Sequence, residues 1–308
     1  MYKRFNEILM KDWKTEDIPD LDGKVAVVTG GNTGLGFRIA LELAKKNAHV
    51  VIASRDRARG WEAAEKIRKE TGSVRDVDVI PLDLTDFRSI RKFATSFLIK
   101  HDTLDILVNN AAVVNLANRQ VTKEGLEMHM ATNHYGHFAL TGHLLSAIKN
   151  SKGARVITMS SGSYRSGKID FDDLNWTNRV YNRSRSYGDS KLANLLFALE
   201  LDRLFKKNNK SAISLAAHPG LSATERQQKI GIGGMLTKMM AQPVEIGALP
   251  ALMAATYEKA EGKQYYGPRW MIRGYPRLEK LKSIAENAGM ARKLWKFSEE
   301  LTDVEYKF

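Results

Sequence analysis

Cysteine is missing from this 308-residue sequence altogether. Neither disulfides nor thiolate metal sites can therefore hold the fold, and a reducing compartment is expected. No stretch approaches the ~18 continuous apolar residues of a membrane span. The opening segment, MYKRFNEILMKDWKTEDIPD, lacks the ~7–15-residue apolar core of a signal peptide. The closing EYKF is neither a retention nor a peroxisomal address. A cytoplasmic protein without a transmembrane segment is the expectation. No repeat or low-complexity tract interrupts the chain, and no acidic block balances its formal net charge of +13. Lysine and arginine are scattered rather than gathered into a tail, which fits a solvated basic surface, or a field suited to an anionic small molecule, better than a nucleic-acid arm.

What is present is a rhythm. Six short, near-continuously apolar runs lie at 24–29, 48–53, 77–82, 104–109, 154–160 and 211–217, as strands covered on both faces do. Helical patterns at 34–47, 57–71, 86–100, 122–149 and 187–207 separate them. Alternation of this kind predicts an α/β fold, a Rossmann-type doubly wound parallel sheet with right-handed crossovers, in a single domain with a C-terminal extension. Residues 1–22 read as a polar lead-in, 23–262 as the domain carrying the cofactor and catalytic sites, and 263–308 as an extension packed on it. Within this scheme 222–255, rich in glycine and methionine, reads as a mobile lid over the substrate or, equally, as ordinary helix core.

The stretch VVTGGNTGLG, residues 27–36, concentrates glycine between the first strand and the first helix. In a parallel sheet that turn presents helix N–H groups to an anion. The ATP-binding loop needs Gly-Lys-Ser/Thr, but Phe37 follows Gly36. The spacing Gly30, Gly34, Gly36 also departs from G-x-G-x-x-G. It does match T-G-x-x-x-G-x-G, the pattern of the short-chain dehydrogenase/reductase superfamily. Further motifs carry the resemblance in order: DLTD at 83–86, NNAA at 109–112, Asn133 in TNHYGHF, Ser161 in MSSGS, Tyr187-x-x-x-Lys191 in YGDSK, and HPGLSAT after the sixth strand. One departure is Ala112, where the family usually has glycine. The sequence looks most like the retinol dehydrogenase-like branch.

The resemblance implies an oxidoreductase that interconverts a carbonyl and an alcohol with a nicotinamide coenzyme. Its catalytic residues would be Asn133, Ser161, Tyr187 and Lys191. The coenzyme would be held by Gly30, Asn32, Thr33, Gly34, Leu35, Gly36, Ser54, Arg55, Asp83, Leu84, Asn110, Ala111, Tyr187, Lys191, Pro219, Gly220 and Thr224. Four residues apart, Tyr187 and Lys191 share a helix face, where an ammonium would lower the phenol's pKa toward a useful range. Ser161 would hydrogen-bond the substrate oxygen. Asn133 resembles the residue that anchors a water leading from the lysine to solvent. The competing reading is a catalytically silent NADP(H)-binding redox sensor.

At the end of the second strand Ser54 stands where an NAD-type fold carries a carboxylate for the ribose 2′-hydroxyl, and Arg55 follows with a guanidinium suited to a 2′-phosphate. NADP(H) is expected over NAD(H), with Asp56 one step too late to reverse it. Lid composition points to a medium-sized apolar aldehyde or ketone. No metal site is expected: His134 and His137 lack the glutamate of a His-Glu-x-x-His motif. No nucleic-acid partner is expected either, the basic stretch at 178–191 reading as a solvated loop or a rim at the site mouth. Apolar residues around the 187–207 helix, with the resemblance, suggest a homodimer or homotetramer associating through the helices at 122–149 and 187–207.

Overall fold

The computed structural model describes residues 12–72, 77–221 and 242–308. Its centre is an eight-stranded sheet in the order β3-β2-β1-β4-β5-β6-β7-β8. The strands are β1 (Val25–Thr29), β2 (His49–Ser54), β3 (Val77–Pro81), β4 (Ile106–Asn109), β5 (Arg155–Met159), β6 (Ile213–Ala217), β7 (Tyr265–Pro268) and β8 (Pro276–Leu278). Every pairing from β3 through β7 is parallel, and β8 returns antiparallel on β7. Order reverses between β1 and β4, so the carboxyl ends of those strands open the crevice where doubly wound sheets bind ligands.

Helices cover both faces: α1 (Gly34–Lys45), α2 (Arg57–Thr71), α3 (Phe87–Lys100), α4 (Gly136–His143), α5 (Leu145–Asn150), α6 (Arg183–Lys207), α7 (Val244–Thr256) and α8 (Ala288–Thr302). Local chemistry fixes their ends. Asp56, Asp86 and Asn182 accept first-turn amides of α2, α3 and α6. Gly72 closes α2 in the left-handed region at φ +69°.

Three features depart from the sequence reading. The single helix expected over 122–149 is broken into a turn at Met128–Met130, a π-helical turn at Ala131–Tyr135, then α4 and α5. Residues beyond 262 supply β7 and β8 to the central sheet itself. The lid read over 222–255 lies partly outside the described residues (222–241), while 242–255 is chiefly α7, whose Met253 is fully buried in the core with Ala251, Leu252 and Ala254. That part is packing, because its apolar residues face α1 and the sheet rather than solvent. Likewise, the apolar surplus of α6 is met inside the chain. Helix α8 packs along it, joining Leu192, Leu195 and Leu196 to Ala291 and Leu294 in one cluster. No helix among the described residues is long and apolar enough to cross a membrane.

Candidate active site

The turn after β1 is shaped by bare backbone. Gly30 and Gly34 adopt φ +65° and +53°. A Cβ on Gly36 would collide with the Gly30 carbonyl and the Asn110 amide, so only glycine lets α1 lie this close. Thr33 starts α1 without a side-chain cap bond, leaving the first-turn amides open at the positive end of the helix. Asn32, Gly34 and Leu35 surround that opening half-buried. A glycine cradle facing uncapped amides fits a pyrophosphate.

Beside it the Thr29 hydroxyl accepts from the Asn110 and Ala111 backbone amides at 2.8 and 2.9 Å, while the Asn110 side chain donates to the Thr29 carbonyl at 2.8 Å. His137 completes the knot. Its Nδ1 lies 3.0 Å from the Asn133 carbonyl, which can only accept, so Nδ1 carries the hydrogen and Nε2 accepts from Thr29 at 2.9 Å. Burial pushes this imidazole down to about 4.

Ser161 follows β5, and Tyr187 and Lys191 lie on one face of α6. Lys191 is fully buried and donates to the Met159 carbonyl at 3.0 Å, an oxygen that also accepts from Asn194 at 3.0 Å. Its Nζ stands 5.6 Å from the centre of the Tyr187 ring. Desolvation lowers Lys191 to about 7. It also raises the Tyr187 phenol to about 12, a hydrogen bond with Ser161 working the other way. Burial acts on both groups, and the lysine is aimed at a carbonyl. Asn133 sits in the π-helical turn. Its Oδ1 accepts from Val113 N at 2.8 Å, and its Nδ2 donates to the Val113 carbonyl and Ser190 Oγ at 3.1 and 2.9 Å. It ties the loop after β4 to α6.

The remaining expected contacts border this centre. β2 ends at Ser54, whose hydroxyl donates to the Asp56 carbonyl at 2.8 Å and is spent inside the turn. Arg55 is exposed, and the Asp56 carboxylate accepts from Arg59 N at 3.1 Å. Asp83 accepts from the Thr85 amide and hydroxyl at 2.9 and 2.7 Å, while Leu84 is buried against Gly136. Gly220, at φ +63°, turns the chain after Pro219. Thr224 lies outside the described residues.

Sequence reasoning missed the supports. His218 accepts from Gly220 N at 3.2 Å and so donates its other nitrogen to Glu279 at 2.7 Å, making the strand-edge segment after β8 a brace for this turn. Buried His129 sets its ring edgewise on Tyr187 at 5.8 Å and contacts Ser186 at 3.0 Å and Glu127 at 3.2 Å. Only Thr29, inside the glycine motif, carried a signal that could have been read.

Comparison with known proteins fits this geometry. Residues 24–172 match the family model described as short chain dehydrogenase. Retinol dehydrogenase 13 of Homo sapiens is 36% identical over 314 residues, covering 97% of this chain and 91% of that protein. The chain belongs to the short-chain dehydrogenase/reductase family. Within it the chain falls in the retinol dehydrogenase-like branch, being also 38% identical over 293 residues to retinol dehydrogenase 12 of Mus musculus, across 93% of this chain and 89% of that one. A crystal structure of an uncharacterized protein from Mycobacterium Paratuberculosis superposes with a TM-score of 0.82 at 35% identity, over 97% of this chain and all of that one. As a short-chain dehydrogenase/reductase the protein is an oxidoreductase that binds NAD(P)(H) and interconverts a carbonyl and an alcohol.

Proposed function

We propose that the protein is an NADP(H)-dependent reductase of medium-sized apolar aldehydes and ketones, with Ser161, Tyr187, Lys191 and Asn133 as its catalytic centre. The observation that carries the coenzyme choice is the end of β2. Asp56 caps α2 through one carboxylate oxygen, and the exposed guanidinium of Arg55 precedes it. A 2′-phosphate there would gain charge-assisted hydrogen bonds from Arg55.

When bound, the coenzyme supplies or accepts a hydride at the substrate carbon. The chain supplies orientation and the proton. Tyr187, held protonated by its surroundings, donates to the substrate oxygen, a role matched to carbonyl reduction. Ser161, within hydrogen-bond reach of the phenol, holds the same oxygen and offsets charge developing on it. Lys191 is kept close to neutrality by burial, so it can pass a proton without strong bias either way. Asn133 keeps the loop after β4 and α6 in register around them.

Two observations support an apolar substrate. The relatives of the branch carry the name of retinol, a hydrophobic alcohol. Beside the Pro219–Gly220 turn, where Leu221 N bonds the Ile272 carbonyl at 2.7 Å, the side chains of Trp270, Met271 and Ile272 are exposed and apolar. Convergence of Ser161, Tyr187 and Lys191 argues against the silent-sensor alternative. Family resemblance supports a homodimer or homotetramer, and the composition supports a cytoplasmic location. Turnover of aliphatic and terpenoid aldehydes against free sugars, followed by coenzyme absorbance with NADPH and NADH, tests the reading. Higher catalytic efficiency on sugars, or equal efficiency with both coenzymes, overturns the corresponding half.

A further inference from the structure

At the opposite, N-terminal edge of the sheet three side chains from three elements converge. His49 opens β2, Asp78 is the second residue of β3, and His101 ends α3. One ligand atom from each lies within 4.8 Å of the other two. The imidazole rings stand 4.9 Å apart at 54°, and His49 Nε2 is 3.5 Å from Asp78 Oδ2. All three residues are half-buried, yet Nε2 of both histidines is shielded from solvent and has no hydrogen-bond partner. Leaving one such nitrogen unsatisfied is costly, and two beside a shared carboxylate call for a ligand that accepts lone pairs from both.

We propose that His49, Asp78 and His101 form a binding site for a divalent metal ion of the zinc class. Two imidazoles and one carboxylate suit that borderline-soft ion, with water in the fourth position on the solvent side. Zn–N and Zn–O bonds of about 2.0–2.2 Å put tetrahedral ligand atoms roughly 3.4 Å apart. The trio therefore closes by about 1.4 Å at its widest, which side-chain rotation covers. The Phe97 ring, 4.8 Å from that of His101, limits where this imidazole can turn. Lys100, 3.3 Å from Asp78 Oδ2, competes for the carboxylate. It is exposed, and as one partner of a surface pair it gives way at little cost.

The ion would clasp β2, β3 and the end of α3, far along the strands from the glycine turn. It acts on stability, and the proposal is independent of the catalytic reading. Tag-free protein, stripped with chelator and titrated with zinc chloride in a calorimeter, should bind one equivalent with a dissociation constant of about 10 µM or tighter. Zinc should raise the melting midpoint. His49→Gln and His101→Gln should each weaken binding more than about tenfold, the least that loss of even an outer-shell partner usually costs. His143→Gln, on α4, should leave it unchanged. Should either glutamine variant fail to fold, Asp78→Asn, which keeps the shape, is expected to show the same loss. Weaker wild-type binding, or equal affinity in the variants, overturns the site.

Discussion

At the carboxyl edge of the sheet, α1 begins without a cap, two glycines take left-handed backbone, and a lysine and a tyrosine are held where water would suit them better. At the amino edge of the same central strands, Asp105 does the reverse. Its carboxylate accepts from Val25 N at 2.9 Å, Lys24 Nζ at 3.0 Å and Ser151 Oγ at 2.7 Å, joining β1, β4 and the approach to β5. The glycine turn leaves donors open for a ligand, whereas the Asp105 cluster satisfies its members within the chain. The difference separates residues that should govern turnover from residues that should govern folding.

The sharpest test is Tyr187→Phe. It removes one hydroxyl at the carboxyl edge, and turnover should fall by ~10²–10⁴-fold with little change in melting midpoint or coenzyme affinity. Retention of a large share of wild-type activity would take Tyr187 out of the proton step. Next comes Arg55→Ala, expected to weaken NADPH ~10–100-fold and NADH far less, because a charge-assisted hydrogen bond contributes ~1.5–3 kcal/mol. Equal weakening of both coenzymes in a fluorescence titration would show that Arg55 does not select.

Asp105→Ala should break the pattern in the other direction. It leaves the Val25 amide and Lys24 without their acceptor and should cost about 1–3 kcal/mol of unfolding free energy in a urea titration, while turnover per folded molecule stays as in wild type. A large loss of turnover would mean the two edges are coupled.

A separate effect is expected on acidification. Burial lowers His134 to about 3 and His137 to about 4, both below the ordinary 6.5. An unfolded chain takes up these protons first, so the stability they carry is complete above pH 6.5 and is lost as pH falls toward 4 and 3. Unfolding midpoints across that range should decline, and less so in His134→Gln. A flat profile would refute the buried neutral state.

How much of this was legible follows from what each signal reports. The first six strands are readable because double coverage makes them continuously apolar, as in VAVVT of β1. β7 and β8 are not: YYGP and PRL are short, carry proline, and acquire strand character only from the neighbour they pair with. Spacing put Tyr187 and Lys191 on one face, but the Met159 carbonyl that holds the lysine comes from a distant strand and leaves no local trace. Of the methionines in 222–255 only Met253 lies among the described residues, and it serves the core, the alternative that composition left open. The start of α6 at Arg183 could have been read from Asn182, a capping residue before a helical run.

The packing of α8 on α6 has a consequence for how the molecule is made. Trp295 stacks on Phe197 at 5.7 Å, and the Tyr306 hydroxyl donates to the Phe138 carbonyl at 2.6 Å. On the ribosome, the helix bearing Tyr187 and Lys191 emerges long before the segment that covers it. Until that segment follows, Leu192, Leu196 and Phe197 lack part of their cover, and the nascent chain carries an apolar face that chaperones can bind. Synthesis should therefore deliver the nucleotide-binding strands first and the catalytic helix's final setting last, so a pause or truncation before residue 288 would release a chain that is soundly begun and catalytically unset.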